Sequence, residues 1–272
     1  MQRPAWAPTE LDLDRPNAAR MYDYFLGGSH NFAVDREVAV QAMEAWPDMP
    51  RVMQANRAFL RRAVRFMLDQ GVLQFLDIGS GIPTVGNVHE VAQDAVPDAR
   101  VVYVDTDPIA VAHSRAILAG DDRTAVVQAD GCDPEALLAD DHVRGLLDLD
   151  RPVGLLMVAV LHFVPDERDL PGILARYRSR LAPGSGLAIT HASTEGSPAR
   201  APVQELYRRT PTPIQLRSRA AITGLFAGFE LVEPGVVFLP QWRPEYPEDV
   251  DEHPEWVSGF GGVGLTPPAR RT

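Results

Sequence analysis

Three acidic residues recur at comparable places along the chain. Asp77, Asp105 and Asp130 each close an apolar run, in FLDI (75–78), VVYVD (101–105) and VVQAD (126–130). A carboxylate so placed can accept from sugar hydroxyls or from an amino group, and a hydrogen bond to a charged partner contributes about 1.5–3 kcal/mol. Glycines accompany the acids. Gly79 and Gly81 flank Ser80 in DIGSGIPT (77–84), and Gly131 follows Asp130. Glycine lets the backbone turn sharply and approach a ligand, and a helix that starts nearby offers unpaired N–H groups. Together these residues describe a nucleotide cradle.

The flanking residues narrow the choice of nucleotide. A dinucleotide cradle prefers a third glycine at position 84, where this chain has Thr84 after Pro83. Acids after three successive strands repel a pyrophosphate but suit a cation. S-adenosylmethionine (SAM) carries a sulfonium and an ammonium, so the charge pattern favours SAM over NAD. In that reading Asp105 accepts both ribose hydroxyls. Asp130 accepts from the adenine amino group, and the backbone N–H that follows, at Gly131, donates to the ring. Gly79, Ser80 and Gly81 approach the methionine side, with Asp77 near its amino end.

Methyl transfer needs an in-line approach, and positioning supplies most of the rate. A base is required only where the acceptor must lose a proton. Candidates are polar residues able to converge above the fourth strand end. His162, in VAVLHFVP (158–165), is a general base or substrate ligand; the competing reading is a histidine satisfied by backbone. His191 ends SGLAITHA (185–192), ahead of Ser193 and Thr194, and is a candidate substrate contact. Tyr22, Tyr24, His30 and Asn31 lie in YDYFLGGSHNF (22–32) and read as a lid over cofactor or substrate, or as anchors that pack the N-terminal arm. Tyr207, Arg208, Arg209 and Arg217 fall in an insertion of the kind that shapes acceptor pockets, where arginines can receive a carboxylate or phosphate. Trp242 and Trp256 could cap an aromatic acceptor or bury the tail.

The elements that must hold these groups alternate. An apolar stripe at Val52, Ala55, Phe59, Ala63 and Phe66 predicts a helix over 50–70, ended by Gly71. Strands follow at 73–78, 100–105, 124–130, 152–161 and 185–192, with helices between them. Asp107-Pro108 and Asp133-Pro134 each open a helix, Asp as N-cap and Pro in the first turn. A helix containing 222–226 and two short strands around Pro234-Gly235 complete the pattern. Continuous apolar strands alternating with helices predict an α/β fold, a parallel sheet covered on both faces. We divide the chain into an N-terminal arm and helical lid (1–70), a SAM-binding domain (71–240) and a Pro/Gly-rich tail (241–272).

Composition removes other chemistries. The 272 residues carry a net charge of −11, which argues against a nucleic-acid surface. All 26 residues counted as Lys or Arg are Arg, so a Schiff-base lysine and a G-x-x-x-x-G-K-[ST] loop are absent. A single cysteine, Cys132, excludes an intrachain disulfide and a cysteine-based zinc site, and no metal site is expected. His89-Glu90 lacks the second His of a zincin helix, and no G-x-S-x-G elbow occurs. The first residues lack the apolar run of a signal peptide, and the longest apolar stretch, 153–161, is too short to cross a bilayer. A cytoplasmic protein without membrane or nucleic-acid partners is expected.

FLDIGSG, VVYVDTDP, VVQADGCDP and LLMVAVLHFVPD resemble the successive motifs of class I SAM-dependent methyltransferases. RMYDYFLGGSHNFAVDRE, ANRAFLRRAVRFM and QFLDIGSGIPTVGNVHEVAQ resemble more closely a bacterial family common in actinobacteria, known only as "S-adenosyl methyltransferase". The likeness spans roughly residues 12–240. It implies a Rossmann-like, seven-stranded sheet with a reversed last strand, and SAM as cofactor. The motif positions carry over to Asp77, Gly79, Gly81, Asp105, Thr106, Asp130 and Gly131, then to Ala159 and His162. No substrate is implied. The expected activity is methyl transfer to a small-molecule acceptor; the alternatives are a SAM-binding sensor without turnover and an NAD-dependent oxidoreductase.

Overall fold

The computed structural model describes residues 15–83, 86–208 and 210–267. Thr84, Arg209 and the first 14 residues, all part of the sequence reading, lie outside the described residues. The long apolar runs form β1 (Gln74–Ile78), β2 (Arg100–Asp105), β3 (Thr124–Gln128), β4 (Gly154–Val158) and β5 (Gly186–Ala192), paired in parallel in the order β3-β2-β1-β4-β5. Every residue of β1 is buried, as both faces of a parallel sheet are covered. The chain winds to one side from β1 to β3 and returns to the other at β4. The gap between β1 and β4 is therefore the switch point, where an open α/β sheet leaves a crevice beyond its carboxyl ends.

Helices α1 (Ala18–Phe25), α2 (Ala33–Ala45) and α3 (Met49–Asp69) precede the sheet. α4 (Val88–Ala95), α5 (Pro108–Ile117), α6 (Pro134–Ala139), α7 (Asp141–Leu146) and α8 (Leu170–Arg180) connect its strands, and α9 (Arg200–Tyr207) and α10 (Arg219–Gly224) follow β5. Asp107 and Asp133 cap α5 and α6 as expected, accepting from the N–H groups of Ile109 and Ala136. One face of the sheet is packed by Phe59, Val64 and Met67 of α3 with α4 and α5; the other by Leu137, Val143, Ile173, Tyr177 and Ile222. A third apolar cluster joins α1 and α2 to α9. Among the described residues, no helix is long and apolar enough to cross a membrane.

Among the described residues the sheet has eight strands rather than seven, and its reversed strand comes from the tail. β6 (Glu230–Leu231) and β7 (Val237–Phe238) do not pair with each other. Both pair with β8 (Gly259–Leu265), which runs antiparallel to β5 over seven residues. A domain boundary at 240 would cut through this sheet. The sequence GFGGVGL hides the strand because glycine weakens a strand pattern, yet here the glycines are needed for packing. A Cβ on Gly261 would stand 2.8 Å from Phe59, and one on Gly264 2.8 Å from Phe229. The fourth strand also ends earlier than expected, at Val158, because Ala159 takes a left-handed φ of 57°.

Candidate active site

The strand ends open into one cavity of about 490 Å³, within the usual range for small-molecule sites. After β1 the chain turns through Gly79 and Gly81, both at positive φ, 69° and 64°. The N–H groups of Gly79 and Ser80 donate to the Val104 carbonyl at 2.8 and 3.1 Å, which folds the loop against β2. A Cβ at Gly79 would lie 2.2 Å from Val160, so a larger residue cannot make this turn. Asp105, ending β2, ties two loops together: it accepts from the N–H of Gly81 at 2.7 Å and of Asp107 at 2.8 Å. Each carboxylate oxygen keeps a further acceptor site. Burial raises the Asp105 pKa, against the pull of those N–H groups.

Asp130 follows β3 and is half exposed. Its carboxylate accepts from Arg168 Nη2 and from the Cys132 N–H, each at 2.8 Å. Burial pushes its pKa up, but the Arg168 hydrogen bond and charge outweigh it and hold the group below the usual range. Gly131 packs on β1, where a Cβ would meet Ile78 at 2.2 Å, and its carbonyl accepts from the Tyr177 hydroxyl at 2.9 Å. Thr106 and Ala159 also line the cavity.

Asp77 is the most perturbed acid. Burial pushes its pKa up to about 7; nearby Arg57 pulls it down and Asp105 pushes it up. Arg57 stands on α3 and lines the cavity, and its buried Nε has no hydrogen-bond partner among the described residues. Its guanidinium lies 5.4 Å from the Tyr22 ring centroid. Arg57 lies in the family block ANRAFLRRAVRFM (55–67), but nothing in that block assigned it a role. Nor did the sequence reading find Asn56 and Thr190, which hold the roof to the strand ends. Thr190 Oγ1 accepts from the Ala159 N–H at 2.8 Å and donates to Asn56 Oδ1 at 2.6 Å, and Asn56 Nδ2 donates to the Tyr22 hydroxyl at 2.9 Å. This chain fixes the left-handed Ala159, a conformation that costs a non-glycine residue about 1–2 kcal/mol. A polar residue beside an apolar helix stripe and a threonine inside an apolar strand were the signals available.

The proposed substrate residues separate. Tyr22 lines the cavity; Tyr24, His30 and Asn31 are not among its walls. Tyr24 packs in the α1–α2–α9 cluster. The Gly-Gly turn wraps around Asp23, whose Oδ2 accepts from the His30 N–H and from Asn31 Nδ2, both at 2.8 Å. His30 also meets His113 edge to face, with centroids 4.6 Å apart. This block anchors the cap by local turn chemistry.

His162 and His191 both reach the cavity wall and both are buried. The Nδ1 of His162 faces the Ala192 N–H at 3.4 Å, which assigns its proton to Nε2. Burial, then His191 and Arg217, push its pKa well below the ordinary value, so the ring is neutral and weakly basic. Both nitrogens of His191 are engaged: Nδ1 donates to the Ala192 carbonyl at 2.7 Å, and Nε2 accepts from Arg217 Nη1 at 2.8 Å. Burial lowers its pKa to about 4. Arg217 also donates to the Leu161 and Val164 carbonyls and to Asp166, which leaves it braced to the turn after β4. Arg208 pairs with Glu205 on the surface. Trp242 is fully buried against Phe59 and Phe66, and Trp256 stacks under Arg51.

The S-adenosyl methyltransferase family model matches residues 4–267. The chain belongs to that family. The chain is similar to a Thermobifida fusca YX protein provisionally described as a methyltransferase, at 41% identity over 97% of this chain and 100% of that one, with a TM-score of 0.90. It is also similar to a DUF574 family protein of Streptomyces avermitilis MA-4680, at 40% identity over 94% of this chain and 99% of that one, with a TM-score of 0.89. At 19% identity, TnmH (TM-score 0.51, 84% of this chain and 61% of that one) shares the fold alone. No protein of curated function matches.

Proposed function

We propose that this chain binds SAM at the β1–β4 crevice and transfers its methyl group to a small-molecule acceptor. One observation carries the reading: the acids at the carboxyl ends of β1, β2 and β3 line a single cavity, and a buried Arg57 Nε, unpartnered among the described residues, stands near Asp77. The residues fit an adenosyl amino acid. Asp105 would accept from the ribose hydroxyls. Asp130 and the Gly131 N–H would take the adenine edge. The Gly79–Gly81 turn would approach the methionine side, whose ammonium suits Asp77 and whose carboxylate suits Arg57. SAM supplies an activated methyl group. The chain supplies orientation, a cavity roofed by α1, α3 and α9, and carboxylates that favour a cationic donor over a diphosphate, which weighs against the NAD reading.

Isothermal calorimetry with S-adenosylhomocysteine tests the binding claim, with NADH as comparator; tighter NADH binding refutes it. One feature favours the sensor alternative. His162 is neutral with a strongly lowered pKa and His191 is fully engaged, so neither histidine is poised as a base. Incubation with SAM and a cell extract separates the two readings, because only a transferase forms S-adenosylhomocysteine above background.

A further inference from the structure

The cavity has a second end, away from the acids. Its walls are Trp46, Met49, Phe163, Val203, Tyr207 and Ile214, all from the cluster that joins the N-terminal helices to α9. Three rings form one side. Phe163 and Tyr207 are inclined at 32° with centroids 6.1 Å apart, and His162 meets Phe163 edge to face at 4.4 Å. Aromatic walls and a methionine thioether favour a flat π-system.

Two hydroxyls at this end lack partners. Thr212 lines the cavity, and its Oγ1 is buried with no hydrogen bond among the described residues. Tyr207 is 5% exposed, its pKa is raised by burial alone, and its hydroxyl bonds to nothing among the described residues. Folded proteins leave few buried polar groups unpaired; Thr212 Oγ1 is one such atom and the unbonded Tyr207 hydroxyl stands on the same cavity wall, so the pair points to a ligand that completes them. The cation at this end is engaged with the backbone. Arg200, the cation on this wall, gives its guanidinium to the carbonyls of Thr194, Gly196 and Ser197. His162 is neutral.

Building on the reading of the acid-lined end as the cofactor half, we infer that this chamber binds a neutral, flat hydroxyaromatic molecule, its ring against Phe163 and Tyr207 and its hydroxyl bonded to Tyr207 and Thr212. An anionic aromatic is disfavoured because its charge would be desolvated beside a guanidinium whose N–H groups already serve backbone carbonyls.

The test is titration of the purified protein with 2-naphthol, followed by fluorescence and calorimetry, with and without S-adenosylhomocysteine. The comparators are 2-naphthoate and 2-naphthyl phosphate, which keep the ring and add an anion. The inference expects 2-naphthol to bind at least about tenfold tighter than either anion. Tyr207→Phe and Thr212→Val should each weaken it about three- to tenfold. Val203→Trp should fill the chamber and abolish 2-naphthol binding while S-adenosylhomocysteine still binds. Equal or tighter binding of the anions, unchanged affinity in Tyr207→Phe, or no 2-naphthol binding would overturn the inference. Failure of S-adenosylhomocysteine to bind refutes the cofactor reading instead. The 2-naphthol titration without it then still decides the chamber.

Discussion

Asp77 makes the affinity for an adenosyl amino acid depend on pH. Its carboxyl titrates at about 7 because burial disfavours the charge more than Arg57 favours it. A ligand ammonium favours the ionised form, so binding at acid pH must first remove the proton. The apparent Kd then scales as 1 + 10^(pKa − pH), which rises about 50-fold from pH 7 to pH 5, or about 2.3 kcal/mol. The ligand ammonium stays charged throughout this window, because an α-amino group titrates near pH 8. Calorimetry with S-adenosylhomocysteine at several pH values, in two buffers of different ionisation enthalpy, gives both the affinity and the proton released. Asp77→Asn should bind more weakly at neutral pH and show a flat profile, while Asp105→Asn should keep the slope. Arg57→Met should move the midpoint upward, since Arg57 lowers the Asp77 pKa. A wild-type profile that is flat between pH 7 and 5, or an Asp77→Asn profile with the same slope, refutes the reasoning. The same shift has a stability consequence of opposite sense. Between about pH 4 and pH 7 the folded protein holds a proton that the unfolded chain releases, so this group's contribution to stability falls as pH rises across that window and is flat above it.

Asp105→Ala should weaken S-adenosylhomocysteine binding by about 1.5–3 kcal/mol in calorimetry, through the lost acceptor, and loosen the Gly81 turn it holds. Arg57→Met should cost at least a similar 1.5–3 kcal/mol at pH 8, because it removes the partner of the ligand carboxylate and leaves Asp77 more protonated than in the wild type. Gly79→Ala meets Val160 and a left-handed φ together; adenosyl binding should fall sharply, as read by the same titration. Asp35→Ala should destabilise the cap by about 3–5 kcal/mol in denaturant unfolding, because it strands Arg20, its buried partner at 2.8 Å, and removes the acceptor for the N–H groups of Asn17 and Phe32.

The parallel strands were legible because both faces are buried, which writes them as unbroken apolar runs. The Asp-Pro openings of α5 and α6 were legible because capping is a local affair of two residues. The acids at the ends of β1, β2 and β3, and the glycines after β1 and β3, could be placed because a doubly wound sheet gathers its strand ends at one edge. Features that depend on distant partners could not be read. β8 looks like a tail until Phe59 and Phe229 press against its missing side chains. Arg57 is one arginine among many on α3, and only its position near Asp77 distinguishes it. His30 and Asn31 looked like site residues because Gly-Gly suggested a ligand approach, whereas Asp23 fills the space beside Gly28. His191 looked free because Arg217, 26 residues away, cannot be placed beside it from sequence.

A crystal structure of the protein with S-adenosylhomocysteine tests the central claim most directly. The account predicts the ribose on Asp105, the adenine beside Asp130 and Gly131, and the amino-acid end between Asp77 and Arg57. An adenosyl group bound away from these residues, or a diphosphate seated over the Gly79–Gly81 turn, would contradict it.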